Sequence, residues 1–86
     1  MYVFHNDPGH GWLAVKRSEL IRLGVIGEIS SYSYQKGKIV YLEEDCDADT
    51  FCKAKEALGE KIEVRESYRD NTPIRYYESF RLRQGE

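Results

Sequence analysis

The ten residues from Phe4 to Leu13 constrain this chain more than any others, because they reverse it between two short stretches of alternating polarity. In Asp7-Pro8-Gly9-His10 the proline fixes φ and the glycine tolerates φ > 0, which suits the two central positions of a turn. Tyr2 to Phe4 and Trp12 to Val15 then read as paired strands. If Asp7 pairs with His10, or equivalently Asn6 with Gly11, His5 lies opposite Trp12. Alternation places Val3, His5, Asp7, His10, Trp12 and Ala14 on one face. Tyr2, Phe4, Leu13 and Val15 fall on the other, which is apolar enough to be the core face. The first face gathers both histidines and the only tryptophan near the mouth of the turn. Trp12 is expected to stay partly accessible to water there, and an exposed tryptophan beside two histidines would mark a binding surface.

The remaining elements follow from periodicity and punctuation. Ser18 is expected to cap a short helix, Glu19 to Leu23, that Gly24 stops. Tyr32 to Tyr34 and Lys38 to Glu43 form a hairpin around Gln35-Lys36-Gly37. A second helix runs from about Ala48 to Leu58, capped by Asp47 or Asp49 and ended by Gly59, with Phe51, Ala54 and Leu58 on its apolar face. Ile62, Val64, Glu66 and Tyr68 alternate as a half-buried strand does. Asp70 to Pro73 is a turn, and Ile74 to Phe80 a last strand, with Ile74, Tyr76 and Phe80 inward and the arginines outward. The order ββ-α-ββ-α-ββ predicts an α+β fold: a small, mostly antiparallel sheet with two short helices on one face. At 86 residues the whole chain, 1–86, is one such domain.

Charge and cysteine content narrow the partners. A net charge of −2 does not favour nucleic acid, which a strongly basic chain would. Cys46 and Cys52 are too few for a disulfide framework and badly spaced along a helix for one bridge, so two reduced thiols in a cytoplasmic protein are expected. No charged-then-apolar leader and no long apolar run points to a membrane.

Three constellations could carry chemistry. His5, Asp7 and His10 offer two imidazoles and a carboxylate, a set that suits Zn²⁺ or Fe²⁺ or a histidine general base. The plainer alternative is turn chemistry at Asp-Pro-Gly with Trp12 as packing. Asp45, Asp47, Asp49 and Glu56 match the first, third, fifth and twelfth ligand positions of a calcium loop. Thr50 stands where that loop needs glycine, and acids also collect at a helix start for the sake of its N–H groups. Both cysteines lie beside these acids, which would raise their thiol pKa values and make them poor nucleophiles. Ile74-Arg75-Tyr76-Tyr77-Glu78-Ser79-Phe80-Arg81 interleaves arginines with aromatics, as single-strand nucleic-acid binders and protein interfaces both do.

Four blocks carry a resemblance: Asp7 to Leu13, Ser31 to Tyr34, Val40 to Ala48, and Ile74 to Phe80. Together they are similar to a group of small uncharacterised proteins of bacteriophages and mobile elements, over nearly the whole chain. The resemblance implies a bacterial host cytoplasm and transfers no catalytic residue. With no nucleophile–base pair legible, it favours a non-enzymatic protein, without cofactor, that binds a host macromolecule, a defence protein being the specific expectation. The expected contacts are His5, Asp7, His10, Trp12, Tyr32, Tyr34, Arg75, Tyr76 and Tyr77. A metal site or small metal-dependent enzyme at His5, Asp7 and His10 is the alternative, and single-strand nucleic-acid binding through the C-terminal strand is a second. Self-association stays open.

Overall fold

Alternation in the first hairpin decides which way the sheet faces. A computed structural model describes residues 1–86. Strands β1 (Tyr2–Asn6) and β2 (Gly11–Lys16) pair antiparallel, with His5 opposite Trp12 and Asn6 opposite Gly11, the register the turn predicts. Leu13 and Val15 are buried in the core, and Tyr2 and Phe4 pack against it. The turn closes with the Asp7 N–H donating to the His10 carbonyl at 2.9 Å. Gly9 does not adopt a positive φ, contrary to expectation. The Asp7 carboxylate shapes the turn by accepting the Gly9 and His10 N–H groups at 3.0 and 2.9 Å.

The other elements are α1 (Arg17–Arg22), β3 (Tyr34–Lys36), β4 (Ile39–Glu43), α2 (Asp47–Ala57), β5 (Val64–Tyr68) and β6 (Glu78–Ser79). The sheet order is β5-β1-β2-β4-β3-β6. All neighbouring strands are antiparallel except β5, which runs parallel to β1. That parallel pair makes β4-α2-β5 a crossover connection. Leu20 of α1 and Phe51 of α2 pack on Leu13, Val15, Val40 and Leu42, so both helices cover the predicted core face. The fold is the expected α+β arrangement.

Several local expectations are corrected. The first helix starts at Arg17, and Ser18 does not cap it; Lys16 holds the cap position without a side-chain bond. Neither Asp47 nor Asp49 caps α2. Glu43, at the end of β4, reaches forward instead and accepts the N–H groups of Asp45, Cys46 and Asp47 at 2.9, 2.6 and 2.8 Å. Asp47 turns inward and accepts from the Ser30 N–H and hydroxyl and from the Ser33 hydroxyl. Asp49 pairs with Lys53, Asp45 is exposed, and Glu56 lies on the helix, so the calcium-loop spacing does not build a loop.

The buried stripe of α2 is Asp47, Phe51 and Lys55, with Leu58 exposed just past the helix end. Lys55 is buried, and its ammonium lies 5.2 Å from the Tyr2 ring centre and donates to the Tyr2 hydroxyl and Glu60 at 2.8 and 3.0 Å. In the second hairpin the first strand, Tyr34–Lys36, sits two residues later than expected, and the second starts one residue later and ends at Glu43 as expected. The turn is Gly37-Lys38, with Gly37 at φ +59°, where a side chain would be strained. Strand β5 is a sheet edge, not half-buried: Val64 and Tyr68 are exposed. The expected last strand is mostly a 3-10 turn, Pro73–Tyr76, followed by the two-residue β6. Proline at the first position favours this, because it has no N–H to give to a strand ladder and its φ is already that of a helical turn. Ile74 and Phe80 are buried as expected, whereas Tyr76 is exposed and Arg75 finds a partner within the molecule.

Candidate functional site

The 3-10 turn Pro73–Tyr76 lies against the sheet face that carries His5 and Trp12. From it, Arg75 reaches the hairpin turn and grips Asp7 in a bidentate pair: Nε to Oδ2 and Nη2 to Oδ1, both 2.7 Å. The Asp7 side chain is 1% exposed. Hydrogen bonds from Arg75, joined by the Gly9 and His10 N–H groups, hold its carboxyl well below the usual carboxylate range. The same guanidinium sits 5.8 Å from the Trp12 ring centre. His10 stacks on Trp12 at 5.8 Å, and Tyr34 meets it edge-on at 6.2 Å.

These neighbours correct the expectation for Trp12. It lies on the predicted face beside His5, yet it is only 3% exposed. Arg75, His10 and Tyr34 roof it over, and none of these contacts except that of His10 is local in sequence. Trp12 is also absent from the main core on the opposite face. It forms a separate small nucleus that fixes the hairpin turn to the C-terminal segment.

The roof also divides the predicted cluster of His5, Asp7 and His10. Asp7 spends its oxygens on Arg75 and two backbone N–H groups, and no three His, Cys, Asp or Glu side chains converge as a metal-holding group. His5 points to a different neighbourhood, meeting Tyr41 edge-on at 6.0 Å. Burial, and then the charges of Arg69 and Arg65, push its pKa down. Both imidazoles pack on aromatic rings.

On the turn side, His10, Trp12, Tyr32, Tyr34 and Arg75 line one cleft of about 740 Å³. Ser30, Glu43, Asp45 and Cys46 complete its lining. Part of this lining is held firmly: Asp47 anchors Ser30 and Ser33, and Glu43 is fixed by the α2 N–H group it accepts. Tyr32 is 80% exposed, and Tyr76 on the 3-10 turn is exposed to the same degree. Tyr77 turns inward to Tyr41 at 5.2 Å, with the Lys36 ammonium over its ring. The expected strip of alternating arginine and tyrosine therefore does not exist as a strand face. Cys46 is exposed, and Cys52 is half-buried with its thiol pKa pushed up by burial and by Glu56 and Asp49.

Sequence reasoning missed Ser30 and Glu43 as lining of the cleft, and the Asp7–Arg75 pair, whose partners lie 68 residues apart. Only the turn chemistry of Asp7 was visible locally. The chain matches no family model, no curated protein and no solved structure. No helix is long and apolar enough to cross a membrane.

Proposed function

We propose that this chain is a non-catalytic binding module that engages a host macromolecule through the cleft between the hairpin turn and the Ser30–Tyr34 segment. The observation that carries this reading is Tyr32, 80% exposed in the lining of the cleft, with the equally exposed Tyr76 next in sequence to the cleft residue Arg75. A tyrosine offers a large amphipathic contact area and has only two side-chain torsions to freeze on binding. The anchored part of the lining reduces the ordering cost further. Arg75, His10, Glu43 and Asp45 all line the cleft, a mixed polar lining that suits a protein partner. The resemblance to small proteins of bacteriophages and mobile elements supplies the host setting. Inhibition of a defence protein is the sharper form of the proposal and rests on that resemblance alone.

The test is affinity capture from lysates of bacterial host cells, using the wild type beside a Tyr32→Ala/Tyr76→Ala variant. The expected result is a host protein retained by the wild type and lost from the variant. The melting temperature of the variant should stay within about 3 °C, the scale of ordinary surface changes. Equal retention by both proteins would overturn the proposal, as would no retention by the wild type from either infected or uninfected cells.

A further inference from the structure

Beyond the 3-10 turn from the cleft, the same sheet face holds a smaller hollow of about 190 Å³. That is the space of about six liquid waters at roughly 30 Å³ each, below the size of a drug-like ligand pocket. His5, Ser67, Arg69, Thr72, Tyr41 and Tyr77 line it. The parallel pairing of β1 with β5 puts Ser67 directly beside His5. The Arg69 N–H donates to the Asn6 carbonyl at 3.0 Å, which fixes the next donor-bearing residue at the rim.

The charges here are unbalanced. Arg17, Arg22, Arg75 and Arg81 each have a carboxylate partner, but Arg69 forms no ion pair and neither does neighbouring Arg65. Thr72 is 2% exposed, and its Oγ1 has no protein partner. A sealed hydroxyl without an acceptor is a cost that an incoming acceptor relieves once the side chain turns toward it. The other buried side-chain atom without a partner is Asn6 Oδ1, an acceptor, whereas Asp7, Asp47 and Gln35 are bonded several times over. The hollow thus gathers an unpaired guanidinium, an imidazole and several hydroxyls, with no carboxylate in its lining.

We propose that this hollow binds a small oxyanion, a phosphate or a carboxylate group. The Arg69 guanidinium supplies the charge, and Ser67, His5 and Thr72 supply further donors. The site is separate from the tyrosine-flanked cleft and does not depend on the binding proposed there. Its electrostatics carry a signature. Arg69 and Arg65 disfavour the protonated imidazole of His5, and the only other titratable groups lining the hollow beside it are the Tyr41 and Tyr77 phenols. A bound anion offsets the guanidinium charges, so it should raise the His5 pKa. By linkage, affinity for the anion should then rise as the pH falls through the His5 titration.

The experiment is an NMR titration of the intact protein with sodium phosphate, sodium acetate and sodium chloride at matched ionic strength. The His5 ring and the amides of Ser67 and Thr72 are followed, with His10 as internal control. The expected result is saturable movement at His5, Ser67 and Thr72 with phosphate or acetate, none with chloride, and a raised His5 pKa at saturation. Whichever of phosphate and acetate binds more tightly defines the group as phosphoryl or carboxylate. Arg69→Ala, a change at an exposed position, should weaken binding about tenfold or more, as expected for losing hydrogen bonds to a charged group. Thr72→Val should fold at least as stably as the wild type, since it removes an unpaired hydroxyl, and should bind more weakly. No saturation at tens of millimolar, equal movement with chloride, or unchanged binding by Arg69→Ala would each overturn the assignment.

Discussion

Gly11 has no room for a methyl group. A Cβ built there would lie 2.3 Å from Cζ and 2.7 Å from Cε2 of Phe4, whose ring crosses the hairpin at that point. Gly11→Ala should therefore destabilise the fold by about 1–3 kcal/mol, the usual range for overpacking, as read from denaturant unfolding. Gly27→Ala, where a Cβ meets nothing within 4 Å, is the matched control and should stay within about 0.5 kcal/mol of the wild type. Trp12 gives a second test at this scale. Its burial predicts blue-shifted emission protected from iodide. Arg75→Ala should lift the roof, shift the emission to the red and admit the quencher. A wild-type Trp12 that is already red-shifted and readily quenched would contradict the packing described here. The face of Trp12 was legible in the sequence, because alternation about a tight turn leaves little choice. Its burial was not, because the covering guanidinium comes from a residue more than sixty positions away.

At the scale of elements, Asp47 ties the loop before β3 to the start of α2. It is 2% exposed and accepts three hydrogen bonds from Ser30 and Ser33. Asp47→Ala leaves those donors unmet, and each buried donor without a partner costs about 1–3 kcal/mol. The variant should unfold at clearly lower denaturant, and amide exchange should quicken first around Ser30 to Gln35. Uniformly faster exchange across the whole sheet would instead mean that the tie is not local. The helix positions were readable to within a residue or two, because Gly24 and Gly59 punctuate them and both adopt positive φ. The caps were not readable. The usual rule looks for a capping side chain next to the helix, whereas here Glu43 supplies it from the preceding strand and frees Asp47 for the loop. Ile74 to Phe80 misled for another reason. Two buried apolar residues six apart fit a strand as well as a turn, and Pro73 was the signal that should have decided between them.

Across the whole molecule, folding depends on carboxylates that stay ionised. Asp7, Glu19, Glu43, Glu60, Glu78 and Glu86 all have lowered pKa values in the fold, with Glu60 and Glu86 brought to about 2. For Asp7, Glu19, Glu60 and Glu86 a paired cation is the leading cause; for Glu78 it is the Gln35 amide, with Arg81 next; Glu43 relies on backbone N–H groups that overcome its burial. A depressed carboxylate stabilises fully above its unfolded pKa, and the contribution disappears as the pH falls through the folded one. The carboxylate contribution should therefore hold above about pH 5 and fall steadily below it, since unfolded carboxylates titrate near 4. Asp7→Asn should start lower and show a shallower acid decline in denaturant melts taken across that range. His5 adds a weaker loss at milder pH, because its lowered pKa means that the unfolded chain takes up the proton first. A final consequence belongs to the crossover that brings β5 back beside β1. During synthesis the first hairpin can form within microseconds of its exit. The outer edge of β1 must wait for partners 62 residues downstream, as Tyr2 pairs with Val64. At translation rates of about 5–20 residues per second that wait is roughly 3–12 s. Throughout it, Tyr2–Asn6 presents an unclaimed row of N–H and C=O groups, so the nascent chain is most prone to mispairing at a strand that the finished protein keeps in the interior of its sheet.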